Sequence, residues 1–215
     1  MSDGRDAEAN AHILGDLLAA TGLRPIDPEI AAKFEAYLAL ILKWNARMNL
    51  TAIRDPDEIL RRHFVESIAC AQALPAGIAT LLDFGSGAGF PGIPIALCRP
   101  EISVTLAESQ SKKAAFLNEV VRGLNLNTRV FAGRAENLGE QFDCVALRAV
   151  DRMEQAVASA LDLVRAGGWL AILTTQTDLA ALSGTGSFLQ QSHITPIAGS
   201  KQQLLVLASK SMPKA

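Results

Sequence analysis

Residues 81–89 read Leu81-Leu82-Asp83-Phe84-Gly85-Ser86-Gly87-Ala88-Gly89, and this stretch decides the fold. A short apolar run ends in an acid and a phenylalanine, and glycines then follow at alternate positions. That is the pattern of a strand turning sharply into a helix. Glycine has no Cβ, so the backbone there can turn tightly and lie close against a ligand. The helix that follows presents its first N–H groups, which favour negative charge.

The flanking sequence repeats the strand-then-helix texture. Thr80 to Phe84, Ile102 to Ala107, Thr128 to Ala132, Phe142 to Leu147 and Trp169 to Thr174 are strand candidates. Gly92 to Cys98, Ser111 to Leu124 and Asp151 to Val164 read as helices between them. Such alternation implies βαβ units around a parallel sheet, an α/β fold. Ile194 to Ala198 and Leu204 to Ser209 have no helix between them, so they are expected to pair as an antiparallel hairpin at the sheet edge.

The first 75 residues read as helices instead. Ile13, Leu14, Leu17 and Leu18 share one helical face, and Gly22 caps its end. Asp27-Pro28 is a start signal ahead of Ile30, Phe34, Leu38 and Ile41, and Asp55-Pro56 repeats it ahead of Ile59, Leu60, Phe64 and Ile68. The expected organisation is a helical cap over residues 1–75 packed on a sheet domain over 76–215.

Composition narrows the classes. Of 215 residues 49% are hydrophobic, enough for a sizeable core, yet no apolar run approaches the roughly 20 residues that span a bilayer. The N-terminus is acidic and polar, without a signal-peptide pattern, so a cytoplasmic protein, expected to be a monomer, is the reading. Cys70, Cys98 and Cys144 lie far apart, as do His12, His63 and His193, so neither a metal-ligand spacing nor a disulfide pattern appears. A net charge of −2 argues against a uniformly basic coat. Two stretches are locally basic, however: Lys43 to Arg62 holds five basic residues against three acidic, and Ser109 to Arg134 holds five against Glu119 alone.

The glycine loop carries the ligand chemistry. A dinucleotide fingerprint wants a third glycine where Phe90 stands, and no Gly-Lys-Ser/Thr follows to bind phosphates. An adenosyl group joined to an amino acid, with no phosphate, fits better. Glu108 ends the second strand 23 residues after Gly85, where a carboxylate can accept hydrogen bonds from a ribose diol. Ala135-Glu136 follows the third strand, where an adenine edge would lie. A nicotinamide oxidoreductase is disfavoured by Phe90.

Lys43-Trp44-Asn45, Asn49-Leu50-Thr51, Arg54-Asp55-Pro56, Arg62-His63 and Gly85-Ser86-Gly87-Ala88-Gly89-Phe90-Pro91-Gly92-Ile93-Pro94 together resemble the RsmG (glucose-inhibited division protein B) family. The resemblance runs from about Leu38 to Leu173. It implies a class I methyltransferase fold: a Rossmann-like, seven-stranded, mostly parallel sheet with an antiparallel edge hairpin, behind an N-terminal helical cap. It implies methyl transfer from S-adenosylmethionine to N7 of a guanine in bacterial 16S ribosomal RNA, in the small subunit or an assembly intermediate. It places the cofactor at Gly85, Phe90, Ala135, Glu136 and Arg148; the loop reading adds Asp83, Gly87 and Glu108. Two positions depart from the family pattern: Thr174-Thr175 stands where a lysine-glycine pair is frequent, and Lys201-Gln202-Gln203 where an arginine-histidine pair is.

Absent motifs fit the same target. No Asn/Asp-Pro-Pro-aromatic segment follows the fourth strand to hold an exocyclic amine, and Cys144 sits mid-strand without the Pro-Cys context of a carbon-5 nucleophile. A ring nitrogen needs neither, and no catalytic residue is expected. Trp44, Asn49, Arg61, Arg62 and His63 are the expected RNA contacts, through stacking, hydrogen bonding and phosphate binding. The competing readings are a class I methyltransferase acting on a small molecule and a non-catalytic module binding cofactor or RNA.

Overall fold

The computed structural model describes residues 3–148, 153–182, 192–197, 200 and 202–211. Its centre is the strand β1, Thr80–Phe84. The chain winds outward from it through helix α5 (Gly92–Cys98), β2 (Ser103–Ala107), α6 (Ser111–Gly123) and β3 (Thr128–Phe131). A short 3-10 turn, Ala135–Asn137, then returns it to the other side of β1 as β4 (Phe142–Arg148). Helix α7 (Met153–Leu163) leads to β5 (Val164–Thr175), α8 (Gln176–Ala181), β6 (Ser192–Pro196) and β7 (Gln203–Ser209). The sheet order is β3-β2-β1-β4-β5-β7-β6. β1 to β5 run parallel, while β7 is antiparallel to both β5 and β6. The strand order reverses between β1 and β4, which opens a crevice at their carboxyl ends, the usual ligand position in such sheets.

Strand boundaries follow the apolar runs closely, except that β6 starts two residues before the predicted Ile194 and ends at Pro196, and that β5 is extended. β5 begins at Val164, which pairs with Phe142 beyond a register irregularity, and Arg165 to Gly167 bridge to the predicted core of the strand. The apolar pattern breaks there because those residues face solvent. Ala198 of the predicted hairpin, and Asp151 and Arg152 of the helix expected from Asp151 to Val164, lie outside the described residues.

Before the sheet come α1 (Asp3–Ala20), α2 (Pro28–Asn45) and a third helical stretch that is not uniform. Asp55 accepts the Glu58 N–H at 3.2 Å and starts α3 (Pro56–Ile59); six residues, Leu60–Val65, then wind as a π-helix before α4 (Glu66–Ala73) resumes. Apolar spacing alone predicts one continuous α-helix here. The wider turn lets Phe64 to Ile68 all be buried in succession, and such turns recur at functional sites.

Successive residues of a strand point to opposite faces. Leu81, Val104, Leu106 and Cys144 share a core with α5, α6 and the N-terminal helices, while Leu82, Phe84, Val145 and Leu147 pack with α7 on the other side. Among the described residues no helix is long and apolar enough to cross a membrane.

Candidate active site

The loop after β1 is held from both sides. Gly85 adopts φ 73°, a left-handed conformation open to glycine at little strain. Glu108, at the end of β2 and only 6% exposed, accepts the Gly87 N–H at 2.9 Å through one oxygen and the Gln110 N–H at 2.7 Å through the other. A carboxylate offers about four acceptor positions, so two remain beside the cavity that Glu108 borders. Asp83 behaves differently. It lies on the Leu81 face of β1, fully buried, and its Oδ2 accepts the Gly92 N–H at the start of α5 at 3.1 Å. Burial pushes its carboxyl up to about 7. A Cβ on Gly92 would sit 2.6 Å from that oxygen and 2.4 Å from Leu106 Cδ2, so glycine is what lets helix and strands approach. Gly92, two positions past Phe90, thus supplies the close helix–strand packing that the third glycine gives in dinucleotide folds.

The cap meets the loop through aromatic rings and a buried polar chain. Tyr37 stacks on Phe64 and donates its hydroxyl to the Ala88 carbonyl at 2.5 Å; Phe90 packs against Tyr37, Phe64 and His63. Arg148 leaves the end of β4 and reaches into the π-turn. Its Nη2, with two N–H groups, is shared among the Arg62 carbonyl (2.6 Å), His63 Nδ1 (2.7 Å) and Glu66 Oε2 (2.8 Å). The Glu66 side chain is 2% exposed and that of Arg148 11%. Burial raises the Glu66 carboxyl despite the adjacent guanidinium, and it lowers the Arg148 guanidinium despite the adjacent carboxylate. His63, desolvated and beside Arg148 and Arg62, is held down to about 3 and is therefore neutral near pH 7. Its Nε2 lies 2.8 Å from Thr51 Oγ1. Thr51 belongs to a loop shaped by buried Asn45, whose Oδ1 accepts the Leu50 and Thr51 N–H groups while its amide donates to the Ile53 carbonyl.

These elements enclose a cavity of about 1210 Å³. Single small-molecule pockets run to roughly 300–1,000 Å³, so there is room for more than one ligand. Gly85, Gly87, Phe90, Glu108, Ala135, Glu136 and Arg148 line it, and so do Arg62 and His63 from the cap. Asp83 does not: strand alternation turns it under the loop, and its part is to hold α5 in place. Arg148 borders the cavity, but its guanidinium is half committed, since Nη2 joins the cap and Nη1 is buried without a partner among the described residues.

The RNA-contact expectations divide. The Trp44 ring lies off the cavity, packs edge-on against Phe116 at 5.6 Å and donates its indole N–H to Glu119 at 3.0 Å, so it fastens α2 to α6. Asn49 is exposed but accepts from Arg54 at 2.7 Å and lies off the cavity, and Arg61 is exposed on the π-turn, also off the cavity. Thr51, Gln110, Lys113, Arg134 and Thr174 also line the cavity, although the sequence reading names none of them as a ligand contact. For Lys113 and Arg134 the one available signal is the basic stretch from 109 to 134 to which they belong. Glu66 has none, because an acid four residues after Arg62 reads as a surface pair.

A strand-end carboxylate beside a glycine loop, opposite a cap carrying a neutral histidine and cations, can hold an adenosyl ligand and present a second, planar ligand to it. The chain matches the family described as GidB, rRNA small subunit methyltransferase G, over residues 30–200. It is 45% identical over 148 residues to Ribosomal RNA small subunit methyltransferase G of Xanthomonas euvesicatoria pv. vesicatoria, covering 67% of this chain and 69% of that one. With the protein of that name from Xanthomonas oryzae pv. oryzae it shares 38% over 189 residues, 84% of this chain and 88% of the other. Among solved structures it resembles a methyltransferase from Pyrococcus furiosus with a TM-score of 0.59 at 14% identity, over 84% of this chain and 98% of that one. It also resembles M. jannaschii TYW2 in complex with AdoMet, with a TM-score of 0.56 at 14% identity, over 69% and 75%.

Proposed function

The chain belongs to the GidB family of rRNA small subunit methyltransferases, and on that premise we propose that it methylates N7 of a guanine in 16S ribosomal RNA. The methyl donor is S-adenosylmethionine, whose sulfonium supplies an electrophilic methyl group. The substrate is taken in the small ribosomal subunit or an assembly intermediate, and the protein acts in the cytoplasm. Residues 1–75 form the RNA-facing cap and 76–215 the methyl-transfer unit.

One observation carries this reading: a single cavity runs from the Gly85 loop and Glu108 to Arg62, His63 and Thr51 of the cap. Glu108 holds the ribose diol, Gly85 and Gly87 let the backbone approach the amino-acid portion, and Ala135 and Glu136 border the adenine. Phe90 closes the floor under the reacting centre. Arg148 fixes the cap against the strand end and lends positive charge there, balanced by Glu66. Arg62, Lys113 and Arg134 supply cations at the cavity wall for RNA phosphates.

No general base is required of these residues. Guanine N7 carries an in-plane lone pair and no proton, so the protein aligns nitrogen, methyl and sulfur and excludes water. His63 is consistent with such chemistry, because its Nδ1 lone pair already accepts from Arg148 and the ring serves as a neutral structural group. Mass-spectrometric nucleoside analysis of small-subunit RNA, incubated with protein and S-adenosylmethionine, tests the proposal. N7-methylguanosine is expected. Another methylated nucleoside would overturn the target atom, and transfer only to a small-molecule extract would overturn RNA as substrate.

A further inference from the structure

The polar chain that ends at Thr51 has a directional consequence. Arg148 Nη2 can only donate, so His63 Nδ1, 2.7 Å away, must accept. A ring at neutral charge then carries its proton on Nε2, an assignment made from what the neighbours can do. Nε2–H donates to Thr51 Oγ1 at 2.8 Å, and the Ile53 N–H donates to the same oxygen at 3.2 Å. A hydroxyl has two lone pairs and one proton. With both lone pairs filled, the Thr51 hydroxyl can only donate, and it has no acceptor among the described residues. Thr51 is half-buried and borders the cavity on the cap side.

We infer that the Thr51 hydroxyl is a specificity group that donates to O6 of the target guanine while N7 faces the methyl donor. The inference rests on the N7-guanine reading above. On that edge guanine presents two adjacent acceptors, N7 and O6, whereas adenine presents an amino donor beside N7. A group compelled to donate accepts the first base and leaves two donors facing each other with the second. The Glu66–Arg148–His63 chain is what removes the freedom of the hydroxyl to turn round and accept.

The test uses the full chain, S-adenosylmethionine, and small ribosomal subunits reconstituted with either guanosine or 2,6-diaminopurine riboside at the methylated position. Both bases keep N7; only the second replaces O6 by an amino donor. The wild-type protein should methylate guanosine at least about tenfold faster under single turnover, the scale expected when a polar site is left unmatched. Thr51→Ser should keep that preference, and Thr51→Val should reduce it to within about threefold while cofactor affinity by calorimetry is retained. A Thr51→Val protein with the wild-type preference overturns the inference. So does a wild-type protein that does not distinguish the two bases, a result that stands even if Thr51→Val fails to fold. If the product from guanosine is not N7-methylguanosine, the functional reading fails instead, and mass spectrometry of the same samples separates the two failures.

Discussion

Replacing Glu66 by glutamine tests whether the buried pair with Arg148 fastens the cap to the sheet. Glutamine keeps the volume and one acceptor for Nη2 but leaves a guanidinium whose side chain is only 11% exposed without its counter-charge. Breaking a buried pair from one side costs about 3–5 kcal/mol. Burial here already shifts both partners toward their neutral forms, so the lower end, about 3 kcal/mol, is expected. At roughly 2–4 °C per kcal/mol for a chain of this size, Tm should fall by roughly 6–12 °C. The measurement is guanidinium unfolding at pH 7.5 followed by circular dichroism, in a cycle with Arg148→Met and the double variant. The double variant buries neither charge, so its loss should undercut the sum of the singles by at least about 2 kcal/mol. Additivity within about 0.5 kcal/mol, or a Glu66→Gln loss below about 1 kcal/mol, would refute the coupling.

Stability against pH should reveal two opposed groups. His63 is held down to about 3 from an ordinary 6.5, so its contribution is complete above pH 6.5 and declines as pH falls toward 3; Asp83, raised to about 7 from 3.8, contributes fully below about pH 4 and loses that contribution as pH rises to 7. Each is worth on the order of 4–5 kcal/mol, so they nearly cancel between pH 4 and 6.5; across that window Asp83→Asn should gain stability with rising pH and His63→Gln should lose it, and parallel profiles would contradict both shifts. Gly92→Ala, whose Cβ would meet Leu106 and Asp83, should cost about 1–3 kcal/mol in thermal unfolding. Glu108→Gln turns one acceptor into a donor facing an N–H of Gly87 or Gln110, and calorimetry should show S-adenosylmethionine bound at least tenfold more weakly, about 1.5–3 kcal/mol for a charged acceptor. The single-turnover rate should vary little between pH 6.5 and 8.5, since N7 has no proton to lose; a rate rising with hydroxide would point to an amine or hydroxyl target.

The strands are legible in the sequence because alternating glycines and five-residue apolar runs leave little choice of period. Their parallel direction follows from alternation with helices, but the order in which they pair, with its crevice between β1 and β4, is seen only in the fold. Asp83 departs from its expected place at the ligand for a reason the sequence contains: on a strand it must share a face with Leu81, which is core. Trp44 is not decidable from sequence, since an indole ring suits a base or Phe116 equally. The Glu66–Arg148 pair joins residues 82 apart, and nothing local marks either as buried. The π-turn leaves no trace either, because one surplus residue in a helix does not alter which residue types appear, only where they point.

Four rings from three parts of the chain, Phe34 and Tyr37 of α2, Phe64 and Phe90, are linked in one cluster. Three belong to the N-terminal helices and the fourth to the segment just past the glycine loop, which also takes a hydrogen bond from Tyr37. The N-terminal region is therefore not a portable module. Grafting it onto another methyltransferase, or exchanging it to redirect activity toward a different RNA, would unseat Phe90 and disturb the glycine loop that Tyr37 holds. Changes of target within this architecture are confined to side chains on the cavity wall, and an engineer wishing to retarget it should leave the helices alone and vary positions such as Thr51, Lys113 and Arg134.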